Sequence, residues 1–237
     1  MRRCPRTALA AIALVLILGA CAPLVRELAP VPAAPADFPE SYYRDALARG
    51  SPVFRVDPAE SLVVIEVRRA GSLARLGHDH VVASHGVAGF IAPDEGRADL
   101  YVALGRLAMD EPALRAEAGF ETQLTDSDIE GTRANMLEKV LEAEKFPFAV
   151  VRVSGADAKR RSATLEVAIT LHGSTRTLQA PAEIDADAER MSITGRLSFD
   201  QTDFGITPYS LLGGAIAVQN RVELRFRVRA RRMPGAG

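Results

Sequence analysis

Three of the four histidines, His78, His80 and His85, crowd into one short stretch and form the densest concentration of reactive side chains in the chain. Imidazoles at i and i+2 project from one face of a strand, so His78 and His80 could share a ligand, and their nitrogens suit zinc or copper. Asp79 points the other way. His85 is an odd number of positions from both, so convergence of all three on one metal requires a departure from regular strand geometry. The alternative is a hairpin entrance where His80 hydrogen-bonds backbone or a ligand head group and His78 meets solvent. His172 stands opposite Leu171 in its strand, at the surface or at the turn that begins with Gly173. Carboxylate pairs that could do acid–base work, Asp126 with Asp128 and Asp185 with Asp187, fall at a helix start and in a turn, where capping and solvation account for them. There is no Gly-x-Ser-x-Gly elbow, no phosphate loop and no His-Glu-x-x-His, so the residue types point to a binding protein rather than an enzyme.

The two cysteines are Cys4 and Cys21. Arg2, Arg3 and Arg6, an apolar stretch from Ala8 to Leu18, and small Gly19 and Ala20 form the three parts of an export signal. The apolar stretch is too short to span a bilayer stably. Leu18-Gly19-Ala20-Cys21 resembles the lipobox of bacterial lipoproteins. That resemblance implies removal of residues 1–20, diacylglycerol on the Cys21 thiol and an acyl chain such as palmitate on the new amine. The alternative is an ordinary cleaved signal that happens to hold a Cys. Ala22, non-acidic, goes in such proteins with outer-membrane sorting. The expected location is therefore the periplasmic face of the cell envelope, anchored to a membrane through acylated Cys21, the outer membrane rather than the inner. Neither cysteine is then free for a disulfide, and stability must come from packing and hydrogen bonds.

Cleavage takes three of 29 basic residues from a chain with 30 acidic ones, leaving an acidic domain with no sign of a nucleic-acid partner. Trp is absent and aromatics make up 5%, which argues against a stacking platform for sugars or bases. Pro23, Pro30, Pro32, Pro35 and Pro39 among alanines read as an extended tether. At ~3.1 Å per residue it reaches roughly 55 Å. The divisions are a signal over 1–20, a lipidated tether with a short helix over 21–50, a domain over 51–232 and a tail over 233–237. That helix spans Glu40 to Ala48, with Gly50 as its stop.

Beyond it, period-two alternation predicts half-buried strands around Val63, Ile65 and Val67, and around Ala98, Leu100, Val102 and Leu104. It recurs at Phe148 to Val151, Ala163 to Leu171, Met191 to Phe199 and Val222 to Val228, where Arg221, Glu223, Arg225, Arg227 and Arg229 take the water-facing side. Turn chemistry at Asp57-Pro58, Pro93 to Gly96, Ser154 to Asp157 and Asp185 to Asp187 separates them. One segment, Ser127 to Ala143, has helical spacing, with Ser127 and Glu130 as a capping box, and would cover an edge or an opening. The fold class is all-β with one or two helices, an antiparallel sandwich or barrel.

Several stretches together resemble the YceI-like family of periplasmic lipocalin-type barrels. They are Phe54-Arg55-Val56-Asp57-Pro58 with Ser61 to Val64, His80 ten residues before Phe90, Glu144-Lys145-Phe146-Pro147-Phe148, Thr170 to Arg176, and Asp203-Phe204-Gly205-Ile206. Order and spacing agree over roughly residues 53 to 230. The resemblance implies an eight-stranded antiparallel lipocalin-like β-barrel that binds a long amphiphile, a polyisoprenoid or isoprenoid-quinone-like lipid. Where the family usually has Arg-Asp-x-His-Leu, this chain has Thr132 to Leu137, so no ligand contact is carried over there. With His80, the lining candidates are Val63, Ile65, Val67, Leu100, Val102, Leu165, Val167, Ile169, Leu197, Phe199, Leu224 and Phe226. The same pattern fits a solidly packed core, which would suit an envelope interaction protein without ligand. The histidines keep open a metal-binding or delivery module.

Overall fold

The computed structural model describes residues 33–155 and 161–235. The export signal, Cys21 and the tether up to Pro32 lie outside the described residues, as do Ala156 and Asp157 of one expected turn.

The alternating segments fold into eight antiparallel strands, three of them broken into collinear halves. Strand β1 comprises Phe54–Val56 and Leu62–Val67, β2 His80–Ser84 and Ala88–Ala92, and β3 Arg97–Ala103 and Ala108–Met109. The continuous strands are β4 Phe148–Ser154, β5 Ser162–Leu171, β6 Ser174–Ala186, β7 Arg190–Asp200 and β8 Arg221–Arg232. Each pairs with its neighbour in sequence. Strand β8 then pairs with both halves of β1, Arg55 opposite Arg231 and Val63 opposite Phe226, and closes an up-and-down barrel. Closure removes the edges that an open sheet would present.

The breaks have local causes. In β1 the Asp57 carboxylate accepts the Ala59 N–H at 3.1 Å, and the Ser61 hydroxyl accepts the Arg229 N–H at 3.0 Å where the chain bulges from the ladder. At the break in β2 the Ser84 hydroxyl accepts the Gly86 N–H at 3.2 Å; within its second half Gly89 holds φ +141°, and a Cβ there would lie 2.2 Å from the Asp99 carbonyl oxygen, so only glycine lets β2 approach β3.

The three long connections, residues 68–79, 110–147 and 201–220, all leave one end of the barrel, while the turns over 93–96 and 187–189 close the other. At the long-connection end, Arg69–Ala70, Ser210–Leu211 and Ile216–Val218 form a small ribbon. The helix expected across an opening is there. Its cap lies two residues earlier than the Ser127/Glu130 reading: α3 spans Asp126–Asn135, and its capping box is Thr125 with Asp128. Thr125 sits in extended conformation, its hydroxyl accepts the Asp128 N–H, and the Asp128 carboxylate accepts the Thr125 N–H at 3.0 Å. The last turns, Met136–Val140, widen into a π-helix.

Two helices cover the outside. Helix α1, Glu40–Ala48, docks on the barrel, burying Tyr43 and Ala46 against Phe90 and Ala92. The Tyr43 ring stacks on Phe90 at 5.3 Å, and its hydroxyl donates to Asp99 at 2.7 Å. Asp99 also accepts from Arg97 at 2.6 Å and Arg152 at 2.8 Å. Burial alone would raise the Asp99 carboxyl, but these three donors outweigh it and hold it below the usual carboxylate range. Helix α2, Pro112–Glu117, a short element that the hydrophobic pattern does not announce, brings Leu114 and the following Phe120 over Val64, Val81 and Ala83.

Candidate functional site

The barrel is hollow. A cavity of about 460 Å³ occupies its interior. Val63, Ile65, Val67, Leu100, Val102, Leu197, Leu224 and Phe226 point inward yet stay only partly buried, because no side chain fills the space before them. Leu165, Val167, Ile169 and Phe199 are buried and wall the same space, from Leu165 deep in the barrel to Phe199 near the open end. The structure thus places all twelve apolar lining candidates, and His80, around one cavity. A smaller apolar void of about 40 Å³, walled in part by Ile184 and Met191, continues toward the closed end. Packing at that end is the part of the solid-core alternative that the structure retains.

Residues outside the regular strands complete the wall. Leu104, Leu107 and Met109 come from the break in β3, and Thr132, Asn135, Met136, Val140 and Leu141 from α3 and its π turn. Thr132 to Leu137, where the family pattern does not apply, therefore supplies cavity wall. Arg133 ties the helix down by donating to the carbonyls of Gly105 at 2.6 Å and Leu107 at 3.3 Å. Of these wall residues, the strand alternation signals Leu104, and the helical spacing within Ser127 to Ala143 signals Met136, Val140 and Leu141. The loop residues Leu76, Tyr209, Leu211 and Ile216, which also line the cavity, left no periodic trace.

Among the described residues, no Asp, Glu, Lys or Arg side chain lines the cavity. Its polar positions gather at the open end, apart from Ser84: His78, His80, Thr132, Asn135, Gln201 and Tyr209. The His80 ring is held from behind. Its Nδ1 lies 2.7 Å from the Asp110 carboxylate, whose other oxygen accepts from the Val81 N–H at 3.0 Å and from Arg115 at 2.7 Å. Arg115 also donates to the carbonyls of Asp79 at 2.6 Å and Thr122 at 2.8 Å. Burial works to raise the Asp110 carboxyl, but the bonds from His80, Val81 and Arg115 prevail and hold it below the ordinary value. Asp110 and Arg115 were missed in the sequence because 30 residues separate Asp110 from His80.

The histidines do not converge. His78 and His80 stand 6.3 Å apart, ring centre to ring centre, both on the cavity wall. His78 is half buried rather than solvated, with its Nδ1 enclosed and unpaired. Asp79 turns away and accepts the Arg69 N–H at 2.8 Å. His85 is five residues further along an extended chain, roughly 16 Å away, and pairs with Glu111 at 2.7 Å. A three-histidine metal site is thus not assembled, and among the described residues no three His, Cys, Asp or Glu side chains come together to hold a metal. His172, at φ +51° before Gly173, packs on Phe146 and pairs with Glu142 at 3.1 Å.

Around the mouth stand the exposed large apolar side chains among the described residues: Leu76 at 59%, Leu211 at 49% and Leu212 at 73% exposure. The two loops that carry them are one unit. The Leu73 N–H donates to the Ala215 carbonyl at 2.7 Å, and a Cβ on Gly71 would strike the same carbonyl at 2.4 Å. Leu212 is held at φ +51°, a costly conformation for a bulky residue.

The family model described as the YceI-like domain matches residues 54–230. Among solved structures, a polyisoprenoid binding domain from Saccharophagus degradans, implicated in plant cell wall breakdown, is similar at a TM-score of 0.55 and 14% identity, covering 75% of this chain and 97% of that one. BcnA from Burkholderia cenocepacia is similar at a TM-score of 0.51 and 15% identity, covering 73% and 98%. At these identities the likeness is one of fold. No curated protein matches the chain.

Proposed function

The chain belongs to the YceI-like domain family, and from that premise we propose that it is a membrane-anchored periplasmic lipid-binding protein that holds a long isoprenoid or similar amphiphile inside its barrel and catalyses no reaction. One observation carries the reading: an open-ended apolar cavity of about 460 Å³ with no Asp, Glu, Lys or Arg among the described residues of its wall. That volume falls within the range of about 300–1,000 Å³ usual for ligand pockets. Burial supplies the affinity. At ~0.8 kcal/mol per CH₂, three isoprene units contribute roughly 12 kcal/mol of gross transfer energy, against an association cost of about 4–15 kcal/mol. The polyisoprenoid binding named for the Saccharophagus domain supports the same ligand class.

The leucine rim supports exchange with a bilayer. A ligand this apolar is scarce in water, and Leu76, Leu211 and Leu212 stand where it must enter. Acylation of Cys21 would keep that mouth within tether reach of the membrane that stores the ligand, on the periplasmic side and at the outer membrane. Native mass spectrometry of the purified full chain, with lipid extraction of what copurifies, tests the reading. An isoprenoid-sized adduct is expected; a chain always empty, and showing no thermal shift with isoprenoids, overturns it.

A further inference from the structure

We propose that His80 is a head-group subsite selecting amphiphiles whose polar end donates a hydrogen bond, specifically a terminal hydroxyl, over ethers and phosphates of the same chain. The inference rests on the lipid-cavity reading and adds which end of the ligand faces which residue. The His80 ring stands in the cavity wall while its Nδ1 is turned to a carboxylate that has no exposed side-chain surface. The hydrogen-bond network assigns the tautomer: Asp110 offers only acceptors, so Nδ1 carries the hydrogen. The two ring nitrogens diverge, so Nε2 faces away from Asp110, toward the cavity. The Arg115 guanidinium also pairs with the Asp110 carboxylate, at 2.7 Å. In the neutral ring Nε2 is then a fixed acceptor at the open end, where His78, Thr132, Asn135, Gln201 and Tyr209 are the other polar side chains of the wall. Nε2 accepts from a ligand O–H, offers nothing to an ether oxygen and repels the oxygens of a phosphate dianion, the prevailing form above its second pKa of about 6. Its place at the open end also sets the direction of binding, hydroxyl at the mouth and chain toward Leu165.

Behind the ring lies the means of abolishing the choice. Arg115 and the Val81 N–H both donate to one oxygen of Asp110, so in Asp110→Asn the amide oxygen keeps that place and the NH₂ turns to His80. The imidazole must then accept at Nδ1 and carry its hydrogen on Nε2.

The test uses geranylgeraniol, its methyl ether and its monophosphate as probes, titrated calorimetrically into the full chain carrying Cys21→Ala. In the parent protein the alcohol should bind about tenfold tighter than the ether, the worth of one hydrogen bond, and the phosphate more weakly than the alcohol. In Asp110→Asn the alcohol-to-ether ratio should fall to about one; His80→Phe should do the same by removing the acceptor. Equal binding of alcohol and ether by the parent, or tighter binding of the phosphate, overturns the head-group subsite while leaving the cavity reading intact. Failure of all three probes to bind overturns the cavity reading instead. The parent comparison needs no substitution and decides the matter even where a variant fails to fold.

Discussion

Along the strand segment Arg97–Ala103 the two faces exchange their usual roles. The polar, outward positions Asp99 and Tyr101 are buried, at 0% and 7% exposure, whereas the apolar, inward Leu100 and Val102 remain half-exposed. Segment Leu62–Val67 repeats the inversion, with outward Val64 buried under Leu114 and Phe120 and inward Val63 and Ile65 open to the cavity. A hollow barrel cannot draw its stability from its interior alone. Here α1, α2 and the Asp99 network supply a second core outside the sheet, and the apolar interior is left free for a ligand.

If this division holds, damage outside should cost stability and damage inside should cost binding. The largest effect is expected at Asp99. Replacement by Ala leaves the Tyr43 hydroxyl and the Arg97 guanidinium without their acceptor and should lower stability by about 3–5 kcal/mol, read by urea unfolding. The same carboxylate gives the contrast a pH signature. A group whose carboxyl is held down in the folded state stabilises above its unfolded value, near 3.8, and that contribution disappears as pH falls through the lower folded value. The acid arm of melting temperature against pH should therefore be shallower in Asp99→Ala than in the parent.

Next in size is a matched pair of truncations. Leu114→Ala, on the outside, should cost about 2–4 kcal/mol, and Leu197→Ala, on the cavity wall, under about 1.5 kcal/mol because its neighbours on one side are already missing. Equal losses would erase the distinction between the two cores. Val102→Trp, which fills the cavity, should leave the melting temperature within a few degrees of the parent and reduce geranylgeraniol affinity at least tenfold. The smallest effect on stability belongs to the rim. Leu76→Gln, Leu211→Gln and Leu212→Gln combined should shift stability by less than about 0.5 kcal/mol, while partition of the Cys21→Ala chain onto phospholipid vesicles falls several-fold in cosedimentation.

The inward faces were legible where Leu100, Leu224 and Phe226 alternate with polar neighbours, and where Ile65 and Val67 flank Glu66. Strand β2 was harder to read, since every residue of His80–Ser84 and Ala88–Ala92 is buried and no alternation survives. The sequence also marked α1 at its observed bounds, but not its docking, because a tyrosine facing a carboxylate 56 residues away has no local signature. Whether the barrel was filled or hollow could not be read, because the same valines and leucines serve either state. Asp110 and Arg115 escaped for the reason Tyr43 did: their partner is brought by topology, not by spacing.

Strand β8 alone touches both β7 and the two halves of β1. Without Arg221–Arg232 the remaining seven strands are an open sheet with edges at β1 and β7, and no enclosed volume exists. The interior is thus a property of one seam: whatever loosens β8 from β1 exposes the apolar inner faces along their whole length as well as the two edges.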